Sequence, residues 1–162
     1  MQELPHHYVA FASGGAAGDV DLQSPHLPAL GSASPAEFGG PGDRWSPETL
    51  LVAALADCFV LTFRAVARAS GLAWTSVRCE VIGTLDRVER ATQFTAFTMR
   101  VELRVSEGTT EDLARRTVEK AERNCLITNS LKAPVRLAIG VTAGGRGDDL
   151  AESARAGATR ST

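Results

Sequence analysis

The chain has 162 residues, 44% hydrophobic and 22% charged, which is ordinary for a globular protein and long enough to bury a core without disulfide or metal staples. A collagen-like fibre and a fully disordered chain are excluded. Seventeen basic against nineteen acidic residues leave a net charge of -2, so neither nucleic acid nor an anionic membrane finds an electrostatic footprint.

The N-terminus, MQELPHHYVAF, carries an early Glu3 and no basic stretch, unlike a signal peptide, and a cytoplasmic location is expected. Residues 8–11 are strand-like. Residues 13–45 are dense in Gly, Ser and Pro, and so long a stretch without periodicity implies a functional loop or short paired strands. Asp19-Val20-Asp21-Leu22 is the best strand candidate. Residues 20–36, Asp21 aside, are free of charge but broken by Pro25, Pro28 and Pro35, so no membrane-crossing helix is expected.

The strongest local signal begins at Ser46-Pro47-Glu48: a hydroxyl N-cap, a proline at the first helical position and a carboxylate in the first turn. Residues 49–69 hold no Gly or Pro and are apolar on almost every face, with charge only at Asp57, Arg64 and Arg68; Gly71 ends the run. The helix should be about 36 Å long. Being apolar nearly all round, it belongs in a core or a subunit interface.

Residues 77–81 and 97–105 alternate as strands, with residues 86–92 expected as the hairpin connection between them. Thr110-Glu111-Asp112 caps a second helix running to about Asn124, with an apolar stripe of Ala114, Val118, Ala121 and Cys125. Val135, Leu137, Ile139 and Val141 mark a last strand. Residues 142–162 read as a disordered tail, leaving one domain over 1–141. Strands, long helix, strands, helix and strand make an α+β fold.

Three cysteines are present. The odd number and the missing secretory signal argue against a structural disulfide framework, and no spacing fits a zinc knuckle or a C-x-x-C pair. Cys79 shares the apolar side of its strand with Val77 and Val81 and reads as core. Cys58, midway along the long helix, and Cys125, on the stripe of the second, are either small core residues or a thiol pair. If the two helices pack together the sulfurs meet, which suggests a redox pair kept reduced. A mid-helix thiol gains little from the helix dipole and needs a nearby cation. Arg44 and Glu48 are the candidates, because an arginine held by a carboxylate both lowers a thiol's pKa and binds a peroxide oxygen.

The segment Phe38-Gly39-Gly40-Pro41-Gly42-Asp43-Arg44-Trp45-Ser46-Pro47-Glu48, continuing through Leu55-Ala56-Asp57-Cys58-Phe59, resembles the signature of the OsmC/Ohr family of hydroperoxide reductases. Ala121-Glu122-Arg123-Asn124-Cys125-Leu126-Ile127 resembles the family's second cysteine motif. The resemblance covers roughly residues 8–141. It implies antiparallel sheets around two core helices and an intertwined homodimer with two active sites at the subunit interface. It further implies that Cys58 attacks an organic or lipid hydroperoxide, that Cys125 resolves the sulfenic acid, and that Glu48 orients the activating arginine. An external dithiol, in this family usually a dihydrolipoyl group, would reduce the resulting disulfide; no other cofactor is implied. One departure stands out. The family's arginine sits in an N-terminal Gly-Gly-Arg-x-Gly turn, and this chain has Gly14-Gly15-Ala16-Ala17-Gly18, leaving Arg44 as the substitute.

Other constellations are weaker. His6, His7 and His26 read as surface histidines rather than metal ligands, since neighbours on a strand point oppositely. No phosphate loop, dinucleotide fingerprint or nucleophile elbow is present. Trp45 and Trp74 read as core or interface anchors. Arg100, Glu102 and Arg104 read as a solvated strand face. Three functions remain open: a thiol peroxidase, a binding or interface protein on the same fold with little peroxidase activity, and a hot-dog thioesterase. The last has no use for a second thiol.

Overall fold

The computed structural model describes residues 3–144. Thr142 and Ala143 belong to the last strand, and residues 145–162 of the expected tail lie outside the described residues. The chain divides into two compact units, Met1–Leu51 and Val52–Thr162.

In the first unit, β1 (Phe11–Gly14), β2 (Val20–Gln23) and β3 (Leu30–Ser32) form an antiparallel sheet in that order. The first strand starts three residues later than its apolar run suggests. Tyr8, Val9 and Phe11 are exposed, so no core fixes where pairing begins. A short 3-10 turn over Ala36–Phe38 follows, closed by Gly39 at φ 79. Gly40 is then obligatory, because a Cβ there would overlap the Ser34 carbonyl oxygen at 1.6 Å. A bridge between Ser32 and Trp45, with Ala33 N–H donating to the Trp45 carbonyl at 2.9 Å, ties residues 43–45 to the end of β3.

α1 (Pro47–Ala69) begins and ends where its local signals place it. Thr49 N–H donates to Ser46 Oγ at 3.2 Å while Ser46 N–H donates to Thr49 Oγ1 at 2.8 Å, a reciprocal cap that satisfies two orphan donors. At the other end Leu72 N–H donates to the Ala67 carbonyl and Gly71 N–H to that of Arg68, with Gly71 at φ 64, which is a Schellman motif. Leu55, Phe59, Phe63 and Ala67, spaced every four residues, are the buried residues of the helix. Contrary to the sequence expectation, α1 is by length and composition apolar enough to cross a membrane, with a mean hydropathy of 2.0 over its best window. Leu61 on this helix is 53% exposed, and many of its other residues are only half-buried.

In the second unit, β4 (Trp74–Val88), β5 (Ala91–Val105) and β6 (Val135–Ala143) form a sheet with β5 central. β4 and β5 are antiparallel and joined by the two-residue turn Glu89-Arg90, with Glu89 at φ 57. The fold is α+β as expected, but the sheet is mixed: β6 runs parallel to β5. A parallel return needs a crossover, which α2 (Glu111–Arg123) and α3 (Leu126–Ser130) supply. Phe97, Met99, Val101, Leu103 and Val105, alternating along β5, provide one buried face. Ala114, Thr117, Val118 and Ala121 of α2 are buried as well. Phe63 meets Trp74 edge to face at a centroid distance of 5.2 Å, fixing the end of α1 beside the start of β4.

Candidate functional site

Cys58 lies one residue before the buried Phe59, on the flank of the stripe that α1 presents to the core, and is half-buried. Cys125 is fully buried. It does not close α2, as the apolar stripe suggested. α2 ends at Arg123, Asn124 caps it, and Cys125 is the N-cap of the short α3. The Asn124 side chain helps by donating to the Lys120 carbonyl at 2.8 Å, which ends the helix one residue early. There Cys125 is buried, close enough to Cys58 for the two thiols to affect each other's ionisation. Two thiols 67 residues apart in sequence thus lie near each other within the second unit.

Burial raises the Cys125 thiol above its ordinary range. The Thr128 hydroxyl and backbone N–H oppose this, and the nearby Cys58 adds to it. Thr128 Oγ1 is buried and has no hydrogen-bond partner among the described residues. Cys79, on the same strand face as Val77 and Val81, is pushed up to about 12, first by burial and then by Cys125. A thiol so raised carries almost no thiolate at neutral pH. The expectation that Cys79 is a core residue is met only in part, since it is half-buried, and nothing local in the sequence marks it as a neighbour of Cys125.

The other two candidates lie in the first unit. Arg44 is half exposed, and its Nε donates to Asp19 Oδ2 at 2.9 Å. Its Nη1 pairs with Asp43 Oδ2 at 3.1 Å and donates to the Asp43 carbonyl at 3.2 Å. These carboxylates, Asp19 foremost, hold the guanidinium pKa above its already high value. Arg44 also lines an open cavity of about 310 Å³ with Gly31, Asp43, Trp45 and Thr49. Within one chain, then, Arg44 is held by Asp19 and Asp43 rather than by Glu48. Glu48 Oε2 is buried and has no hydrogen-bond partner among the described residues. Asp19, 25 positions before Arg44, is the residue that sequence reasoning missed. Nothing local marks it, because it reads simply as the polar end of a strand.

No group of three or more His, Cys, Asp or Glu side chains suited to a metal occurs among the described residues.

Residues 40–140 match the family model of the OsmC-like protein. The chain belongs to the OsmC-like family. The uncharacterized protein YmaD of Bacillus subtilis (strain 168) is 27% identical over 106 residues, which is 64% of this chain and 71% of that protein. An OsmC-like protein of unknown function from Vibrio cholerae superposes with a TM-score of 0.77 at 18% identity, covering 83% of this chain and 99% of that one. An organic hydroperoxide resistance protein OsmC from Legionella pneumophila gives 0.69 at 26% identity, covering 86% and 99%. The OsmC-like family includes hydroperoxide reductases. Its fold accounts for the long central helix and the mixed sheet of this chain.

Proposed function

We propose that this OsmC-like protein is a thiol-dependent peroxidase that reduces organic or lipid hydroperoxides. The observation that carries the reading is the nearness of the Cys58 and Cys125 thiols, from α1 and the start of α3, which lets Cys58 raise the Cys125 thiol. In this cycle the Cys58 thiolate attacks the terminal peroxide oxygen, an S–O bond forms, the O–O bond breaks, and the alkoxide leaves as an alcohol after taking a proton. The Cys125 thiol then attacks the sulfenic sulfur, loses its proton, and expels hydroxide as water, leaving a disulfide. An external dithiol, such as a dihydrolipoyl group, restores both thiols by exchange. Leu55 and Phe59 beside Cys58 suit an organic substrate better than hydrogen peroxide. The hydroperoxide resistance named for the Legionella protein supports the same chemistry.

Arg44 is the cation assigned to Cys58, and Glu48 the carboxylate that completes the site. Ten residues of helix separate Glu48 from Cys58, a rise of about 15 Å that puts both out of reach of each other in one chain. The complete site therefore takes Cys58 and Cys125 from one subunit and Glu48 and Arg44 from its partner in a homodimer. The uncovered apolar surface of α1, with Leu61 53% exposed, supports such an interface. A reducing cytoplasm agrees with three free thiols.

Intact mass after one equivalent of cumene hydroperoxide tests the reading. The wild-type chain should lose two mass units, and Cys125→Ser should instead gain an oxygen on Cys58. Turnover with a dithiol should vanish in Cys58→Ser; activity retained there would dismiss Cys58 as the nucleophile. The second reading, a small-molecule-binding protein on this fold, is favoured by one observation: Ala16 and Ala17 stand in the turn where the family carries its arginine.

A further inference from the structure

The loop before α1 and the turn between β1 and β2 are joined by a side-chain bridge from Arg44 to Asp19. Asp19 directly follows Gly18, at φ 94, the residue that closes the Gly15-Ala16-Ala17-Gly18 turn and sends the chain into β2. The turn that lacks a cation therefore ends in an anion, and that anion grips the nearest arginine.

We infer that Asp19 is a positioning residue for the peroxidase site: it holds the Arg44 guanidinium in place, so the turn contributes the carboxylate of an exchanged ion pair. The inference rests on the peroxidase reading for what Arg44 does, but the pairing itself is independent of it. Three features carry it. The contact uses Nε of the guanidinium at 2.9 Å, and a planar fork anchored at Nε and Nη1 has its direction fixed. Asp43 cannot set that direction alone, because it adjoins Arg44 and moves with the same loop. Asp19, in contrast, is anchored by the β1–β2 pairing, where Ser13 opposes Asp21 and Gly14 opposes Val20. As stabilisation, so exposed an ion pair contributes little, since water screens it and both side chains lose freedom. Its effect is on where the charge sits, and a guanidinium that wanders loses most of its influence on a thiolate and on a peroxide oxygen.

The test compares Asp19→Asn, Asp19→Glu, Arg44→Ala and the double variant Asp19→Asn/Arg44→Ala, all as the full chain. Two readouts are taken: the pH profile of Cys58 alkylation by iodoacetamide, which needs no peroxidase activity, and the rate of Cys58 oxidation by cumene hydroperoxide. Asp19→Asn should move the alkylation midpoint to higher pH by about one unit, in the direction of Arg44→Ala. It should slow oxidation about tenfold with little change in thermal midpoint. Asp19→Glu should recover most of both effects, and the double variant should be no worse than Arg44→Ala. The inference is overturned if Asp19→Asn matches the wild type in both readouts while Arg44→Ala does not, or if the two substitutions add in full. An alkylation profile unmoved by Arg44→Ala overturns it too, through the arginine. Should the wild type reduce no hydroperoxide, the peroxidase reading falls and the alkylation profiles still decide the role of Asp19.

Discussion

Cys79 sits on β4 opposite Val101 with its thiol pushed up to about 12, and its neighbour Cys125 is also raised by burial, with Thr128 acting against the rise. Both shifts favour the neutral thiol in the folded chain. For Cys79 the folded value lies above the ordinary 9.0, so the folded state holds its proton more tightly than the unfolded state does. The stabilisation linked to that proton is complete below about pH 9 and is lost as pH rises toward 12. Urea melts between pH 8 and 11 should therefore show the wild type losing ground to Cys79→Val as pH increases. A gap that stays constant would show that Cys79 ionises as easily folded as unfolded. At neutral pH, mass mapping should find Cys79 alkylated slowly in the native chain and rapidly once the chain is unfolded.

Among the elements, α1 was fully legible in sequence because its boundaries are set locally. Ser46 and Thr49 cap each other and Gly71 takes the left-handed position, all within a turn of the ends. The hairpin was under-read. β4 and β5 run to Val88 and from Ala91, far past the alternating runs that marked them, because Asp86, Arg87, Glu89 and Arg90 give a solvated strand tip the composition of a loop. α3 and the inward turn of Cys125 left no local signal, and neither did the pairing of Asp19 with Arg44, which spans 25 residues. Gly83 carries a further constraint from packing. A Cβ there would lie 2.6 Å from Phe94 Cε1 and 3.0 Å from Val52 Cγ2, while Phe94 stacks on the buried Phe97 at 5.1 Å. Gly83→Ala should cost about 1–3 kcal/mol in denaturant melts, since the ring has a core residue behind it. A neutral result would mean that Phe94 swings out freely.

For the whole molecule the uncovered surface of α1 and the exposed first strand are the features that a lone chain leaves unexplained. Leu61 and Phe11 are 53% and 58% exposed, and a helix this apolar loses free energy wherever water reaches it. The proposed homodimer covers such surface, and light scattering should give twice the chain mass. Leu61→Arg should shift that equilibrium toward monomer and reduce peroxidase turnover in parallel. A dimer unaffected by Leu61→Arg would place the interface elsewhere. The family match and the likeness to solved OsmC-like structures reach the fold, and the rest of this scale depends on the assembly.

The length of α1 between Glu48 and Cys58 has one more consequence. Because the carboxylate lies at the start of α1 and the thiol ten residues on, and the proposed site draws them from different subunits, each defect can be supplied from outside. Glu48→Ala and Cys58→Ser chains, each inactive by itself, should regain turnover when unfolded together and refolded as a mixture. The hybrid pairs one healthy thiol with one healthy carboxylate, and its other half carries both lesions.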